Sequence, residues 1–197
     1  MLAMEQEQTL DKPQHSIKSE TWEWIKALVV AAALVFLIRW FIFAPFVVDG
    51  PSMQPNFYTG ERLIVNKFIF DLRKPHRGDV IVFHATPEKD YIKRVVALPG
   101  ETVRVDGDNV YIDGKVLEEP YIRDAIIAAN ERGSSYNNRN FTEKTVPQDE
   151  IFVMGDNRSN SEDSRSSEVG FVDYKKIVGR ADLIFWPFNK IKWIHLS

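Results

Sequence analysis

From Ala27 to Val48 the chain runs apolar with only Arg39 and Pro45 to interrupt it, and Trp22, Trp24 and Trp40 accompany the run. No other feature restricts the fold as much, because so long an apolar stretch must leave water or be covered. A helix crossing a bilayer needs roughly 20 mainly apolar residues, and the segment from Trp22 to Phe43 is long enough. Arg39 stands near its end, where a long side chain can reach the headgroups. Other readings fit less well. A cleaved leader would end in small residues, whereas Arg39, Trp40 and Phe41 stand here; a buried core helix is seldom apolar on every face; an interfacial helix needs a polar face. The sequence predicts one transmembrane helix over 22–43, preceded by a polar, flexible tail over 1–21. Lys12, Lys18 and Lys26 flank the span on its N-terminal side, while only Arg62 follows closely on the other. The positive-inside rule therefore puts the tail in the cytoplasm and residues 44–197 on the extracytoplasmic face of the cell membrane.

Beyond the span the pattern changes to strands. Arg62–Val65, Asp79–Phe83, Tyr91–Leu98, Thr102–Val105, Asn109–Ile112, Ile151–Met154 and Ile177–Phe185 are short runs rich in Val, Ile and aromatics. Turn signals separate several of them: Arg77-Gly78-Asp79, Pro99-Gly100-Glu101, Asp106-Gly107-Asp108-Asn109 and Asp113-Gly114. Strands of this length and spacing predict a mainly β, antiparallel barrel or sandwich. Between Glu118 and Pro147 the pattern breaks, and the Asn-rich stretch Glu131–Thr145 reads as an insertion loop.

Composition removes several classes of chemistry. With no cysteine, disulfides, thiolate metal sites and a cysteine nucleophile are excluded. His15, His76, His84 and His195 are scattered without ligand spacing, so no metal is expected. A net charge of -3 gives no reason to expect a nucleic-acid partner.

Three segments carry polar residues suited to catalysis. Gly50-Pro51-Ser52-Met53-Gln54-Pro55 follows directly on the apolar run; its glycine and prolines constrain the backbone around one hydroxyl, as in turns that present a nucleophile, although Gly-Pro-Ser also suits an ordinary loop. A serine nucleophile needs a base. Lys93 lies in the apolar strand Tyr91–Leu98, where alternation puts Tyr91, Lys93 and Val95 on one face and Ile92, Arg94 and Val96 on the other. If the Lys93 face points inward, its ammonium loses water and its pKa falls; if outward, it is a solvated lysine. The third segment, Gly155–Arg165, crowds short polar side chains behind a strand and reads either as an Asx-rich surface turn or as a loop in which Ser161 contacts the lysine and Asp163 pairs with Arg165.

Taken together and in this order, these segments resemble the bacterial type I signal peptidases over roughly Arg39 to Asp182. The resemblance rests on Arg39–Phe46 leading to Ser52-Met53-Gln54-Pro55, on Arg62–Lys67, Arg77–Phe83, Lys93-Arg94-Val95 with Leu98–Glu101, and on Gly155–Arg158 with Ser161, Asp163, Ser164 and Arg165. It implies an antiparallel two-sheet β domain and a Ser-Lys dyad peptidase that removes signal peptides from exported preproteins, cutting after small residues of the Ala-X-Ala type. Carried over position by position, Ser52 is the nucleophile, Lys93 its base, Ser161 the hydroxyl that orients the lysine, and Asp163 with Arg165 a structural pair. Phe46, Val48, Met53, Leu63, Tyr91 and Ile92 stand where the substrate pocket should be. The implied partners are signal peptides and the lipid bilayer, with no cofactor. One position departs from many Gram-negative relatives, which carry a serine oxyanion donor where this chain has Gly50; Pro51 has no N–H, so the oxyanion is left to the Ser52 N–H and a second donor that the sequence does not name. The glycine and the one span resemble the Gram-positive version. Two alternatives are a related self-cleaving repressor, disfavoured by the anchor, and a membrane-tethered β module without catalysis.

Overall fold

The computed structural model describes residues 17–41 and 43–194. Most of the expected tail lies outside them, as do the side chains that would complete the expected span. The chain divides into two units at Arg39/Trp40. Helix α1 (Ile17–Phe41) supplies the described part of the first up to Arg39; its side chains are described from Glu20 to Phe36. These have no core of their own to cover them: Trp24 is 76% exposed and Leu28 72%, and Val29, Val30, Leu34, Val35 and Phe36 are also exposed. Among the described residues no helix is long and apolar enough to cross a membrane.

The second unit is mainly β. In chain order it comprises β1 (Phe43–Val47), β2 (Arg62–Asn66), the single turn α2 (Ile69–Leu72), β3 (Val80–Thr86), β4 (Lys89–Ala97), β5 (Thr102–Asp106), β6 (Asn109–Ile112) and β7 (Lys115–Val116). There follow α3 (Arg123–Glu131), β8 (Phe141–Thr145), β9 (Glu150–Met154), β10 (Val172–Asp173), β11 (Ile177–Trp186) and β12 (Lys192–Trp193). Two antiparallel sheets result: a large one in the order β1-β2-β11-β3-β4-β9-β10, with β12 on β11, and a four-stranded one in the order β7-β6-β5-β8. The Val/Ile-rich runs become β2–β6, β9 and β11, and the Asp106–Asn109 turn closes the β5–β6 hairpin with Asp106 paired to Asn109.

Several expectations need correction. Residues 44–47, expected just beyond the span, form an edge strand that pairs with β2, Ala44 facing Val65 and Phe46 facing Leu63. The insertion over about 118–147, expected to be without regular structure, carries α3 and β8. Only Ala129 of α3 is buried, and β8 is a polar strand paired to β5, with Thr102 opposite Thr145 and Val103 opposite Lys144. Neither element has the apolar periodicity by which a sequence declares itself, because neither buries a continuous face.

β4 positions the site. It lies between β3 and β9, so Lys93 pairs with Ile81 and Arg94 with Met154, and it is buried on both sides, as an interior strand should be. Ile92 packs with Val48, Met53, Phe57, Leu63 and Val65. On the opposite side Val95 packs with Ile81, Phe83, Ile151 and Val153. The alternation expected from Tyr91 to Val96 is therefore present, and it sends two consecutive cationic side chains, Lys93 and Arg94, inward on different faces.

Candidate active site

Gly50 turns the chain out of the β1 region at φ +89, a backbone state open chiefly to glycine. The following residues wind tightly: Gln54 N–H donates to Pro51 O, and the Asn56 and Phe57 N–H groups both donate to Met53 O, each at 3.0 Å. Met53 and Phe57 are buried in the core beneath β4. Truncating a fully buried Met typically costs about 2–5 kcal/mol, so the residue beside Ser52 acts as an anchor. The loop is also held from above. Asn157 N–H donates to Ser52 O at 3.0 Å, and Asn157 Nδ2 donates to Pro51 O at 3.1 Å.

Lys93 Nζ stands 2.9 Å from Ser52 Oγ and 2.9 Å from the Ile92 carbonyl, and lies 5.0 Å from the centroid of the Tyr91 ring. The residue is 3% exposed, which rules out the solvated reading. Burial pushes its pKa down from 10.5 to about 8; Asp163 and Asp156 partly offset this, and Arg165 adds to it. Among the described residues no carboxylate forms an ion pair with Lys93. A lysine poised near pH 8 and touching a hydroxyl can take that hydroxyl's proton, which an ordinary surface lysine cannot do at neutral pH.

The loop after β9 supplies the frame. Arg165 grips Asp163 through Nε and Nη2, each at 2.8 Å, with both side chains fully buried. Gly155 N–H donates to Asp163 Oδ2 at 3.0 Å. Burial alone would raise the Asp163 carboxyl, but the Arg165 contacts and the Gly155 N–H hold it below the usual range. Gly155 has a steric reason to be glycine: a Cβ there would lie 2.2 Å from Ser161 Oγ and 2.5 Å from Ser52 O. The Ser161 hydroxyl is buried there and makes no hydrogen bond to Lys93, so in this structure Lys93 is held by Ser52 and the Ile92 carbonyl.

Long-range polar contacts complete the frame. Arg94 clasps Asp156 through Nε at 2.9 Å and Nη2 at 2.7 Å. Asn56 Nδ2 donates to the same carboxylate at 2.8 Å and to Tyr121 O at 2.9 Å, and Arg158 reaches Glu119 at 2.9 Å. Reasoning from sequence missed Asn56, Tyr121 and Glu119. Their partners are distant along the chain, so no local spacing marks them.

A cleft of about 240 Å³ opens at Ser52 and Lys93, with Phe46, Tyr91 and Ile92 among its lining residues. The other three residues expected there need correction. Val48, Met53 and Leu63 are at most 1% exposed and sit together in the core behind Ile92. Their side chains fill the space beneath the cleft floor, so they support the pocket and do not line it. Asp49, Gly50, Asp90, Asn160 and Glu162 line it instead.

An antiparallel β unit that holds a serine hydroxyl 2.9 Å from a buried lysine amine has the arrangement a serine-lysine hydrolase would need. Comparison with known proteins is specific: residues 21–186 match the family model described as "Signal peptidase, peptidase S26", and the chain belongs to that family. A signal peptidase I of Bacillus amyloliquefaciens is 41% identical over 92% of this chain and 97% of its own length. Signal peptidase I S of Bacillus subtilis is 41% identical over 90% of this chain and 95% of its own. A crystal structure of a signal peptidase I from Enterococcus faecalis V583 aligns with 55% of this chain and 97% of its own at 35% identity, with a TM-score of 0.44.

Proposed function

We propose that this chain removes N-terminal signal peptides from exported preproteins, as a membrane-tethered serine endopeptidase with Ser52 as nucleophile and Lys93 as general base. The observation that carries the reading is the 2.9 Å contact between the two side chains, made by a lysine that burial brings to a pKa of about 8. Lys93 takes the hydroxyl proton as Ser52 Oγ attacks the scissile carbonyl. The protonated amine then returns a proton to the departing nitrogen, leaving an acyl-enzyme that water clears by the same steps. The buried Ser161 hydroxyl steadies the amine during turnover, and Asp163 with Arg165 keeps the loop in register. A cleft of about 240 Å³ walled by Phe46, Tyr91 and Ile92 suits small apolar side chains of the Ala-X-Ala type better than bulky ones.

In the same reading, the segment over 22–43 is a single transmembrane helix with a cytoplasmic tail, and residues 44–197 work at the extracytoplasmic surface. The exposed Leu and Val side chains of α1 support a lipid setting, since apolar side chains left open along a helix are costly in water. Ser52 follows soon after the apolar run in sequence, and confining enzyme and substrate to one bilayer raises their effective concentration.

The experiment is to incubate the purified full chain, in detergent, with a preprotein carrying an Ala-X-Ala site. Processing should resist thiol reagents and chelators and disappear in Ser52→Ala and in Lys93→Ala. Undiminished processing by both variants would exclude this mechanism.

A further inference from the structure

When Ser52 Oγ adds to the scissile carbonyl, the C–O π pair moves onto oxygen, and that charge must be met by donors aimed at it. The chain has few to offer. Gly50 has no side chain, Pro51 has no N–H, and the site of a Cβ at Gly50 is open space with no atom within 4 Å. The Ser52 N–H has no backbone acceptor among the described residues, so it is free to serve as one donor. Apart from Ser52 itself, Tyr91 and Asn160 carry the neutral side-chain donors on the cleft lining. Tyr91 turns its ring to Lys93 Nζ and packs edge-on against Phe83 at 6.2 Å, which ties the ring to the lysine's side of the cleft.

Asn160 is left: it is an exposed residue on the cleft lining, and a short chain of contacts ties its loop to the Ser52 turn. Asn160 N–H donates to Asn157 O at 3.0 Å, and Asn157 N–H donates to Ser52 O at 3.0 Å. Asn157 Nδ2 adds a bond to Pro51 O. The loop that bears Asn160 is thus fastened to the nucleophile's own backbone. Its neighbours in the loop have side-chain duties: Arg158 binds Gly155 O and Glu119, and Ser159 Oγ binds Asn157. The Asn160 amide has no protein partner among the described residues.

We infer that the Asn160 side-chain amide is the second oxyanion donor of the cleft, acting with the Ser52 N–H. The inference rests on the Ser52–Lys93 mechanism proposed above. During attack the Ser52 proton goes to Lys93 while Asn160 Nδ2 and the Ser52 N–H donate to the carbonyl oxygen as it becomes an alkoxide. On collapse the alkoxide pair re-forms the C=O bond, the C–N bond breaks, and Lys93 protonates the leaving amine. Asn160 exchanges no proton at any step.

The test is steady-state cleavage of an Ala-X-Ala peptide by the full chain and by Asn160→Ala and Asn160→Asp. One oxyanion donor is typically worth about 10²–10³ in kcat. Both variants should lose on the order of 10²-fold in kcat with KM changed by less than about threefold. Asn160→Ala is the cleaner of the two; Asn160→Asp keeps the shape and removes the N–H but adds a negative charge beside the oxyanion, so it should lose at least as much. A structural role is separated by a second measurement: a peptide aldehyde, which forms a tetrahedral adduct with Ser52, should bind Asn160→Ala at least about tenfold more weakly, while an uncleavable peptide amide binds it as tightly as it binds wild type. A kcat within about threefold of wild type, a loss confined to KM, or equal aldehyde binding would overturn the assignment. If Asn160→Ala stays active while Ser52→Ala is dead, only the donor assignment fails; if Ser52→Ala is active, the underlying mechanism fails.

Discussion

Lys93 and Arg94 are neighbours on β4, each 3% exposed, and the two faces of the strand treat them in opposite ways. On one face Arg94 meets Asp156 through two charge-assisted hydrogen bonds, donates a third to Gly78 O at 3.1 Å, and stacks 4.0 Å over the Tyr121 ring. On the other, Lys93 has a hydroxyl, a carbonyl and an aromatic ring, but no carboxylate within ion-pair reach. A buried cation with a fitted counter-ion stays charged and holds parts together. A buried cation without one is pushed towards its neutral form, and a neutral amine beside a hydroxyl is a base. In the proposed mechanism the contrast separates scaffold from chemistry within two consecutive residues.

The largest expected effect comes from forcing one face to behave like the other. Lys93→Arg preserves the charge but installs a group that does not deprotonate in proteins. Preprotein cleavage should fall by at least about 10⁴-fold, the scale seen when one member of a catalytic set is removed. The reciprocal change, Arg94→Lys, should keep activity within about tenfold, since the Ser52 contact does not involve it. Equal losses in the two variants, measured as initial rates, would dissolve the distinction.

Arg94→Met attacks the scaffold side. It leaves the Asp156 carboxylate buried without its guanidinium, and breaking a buried pair from one side typically costs about 3–5 kcal/mol. The urea midpoint should drop accordingly. Arg94→Met with Asp156→Asn should recover most of the loss, because the orphaned charge is then gone. A single variant as stable as wild type would show that the pair contributes little.

The two faces also differ in how far the sequence revealed them. β2 to β6, β9 and β11 were legible because Val and Ile runs ended at Gly-bearing turns, and β4 was legible as a strand whichever way Lys93 pointed. Strand alternation could separate Lys93 from Arg94 but could not say that both faces are covered; that depends on β3, β9 and the Ser52 loop closing around β4. Ser52 and Lys93 stood out through their motifs and the family resemblance. Asn56, Glu119 and Tyr121 did not, because a polar residue whose partner lies far away in the chain looks like any loop residue. Val48, Met53 and Leu63 were misplaced for a related reason: an apolar side chain near a nucleophile fits a pocket wall and a core equally well, and only the packing decides.

Removing the unmatched cation should stabilise the fold while destroying activity. With a Lys93 pKa near 10.5 unfolded and about 8 folded, the unfolded chain binds the extra proton between those values. Wild-type stability should therefore rise with pH across that window. Below pH 8 both states are protonated, and the native state carries the full penalty, about 3 kcal/mol at 1.36 per unit. Lys93→Met should be more stable than wild type by about that amount at pH 7, with the gap closing as pH approaches 10.5. Denaturation curves at pH 7 and pH 10 decide this; a gap that does not change with pH would assign the effect to packing.

The smallest effect is in the pH dependence of the reaction itself, and it tests whether the amine seen against Ser52 is the one that titrates. With a pKa of about 8, the neutral fraction of Lys93 is roughly one part in a hundred at pH 6 and half at pH 8, so kcat/KM should be about fiftyfold lower at pH 6. That parameter reports the free enzyme, whose cleft is open to water. Once a peptide covers the cleft, Lys93 loses what hydration remains, which lowers its pKa further. The kcat profile, which reports the complex, should therefore rise at a lower pH than the kcat/KM profile. In Arg94→Lys both profiles should keep their midpoints, because the scaffold cation stays paired with Asp156 and its charge does not change. A kcat profile displaced to higher pH would mean that substrate binding moves negative charge towards the amine, with Asp90 and Glu162 on the cleft rim as the first places to look.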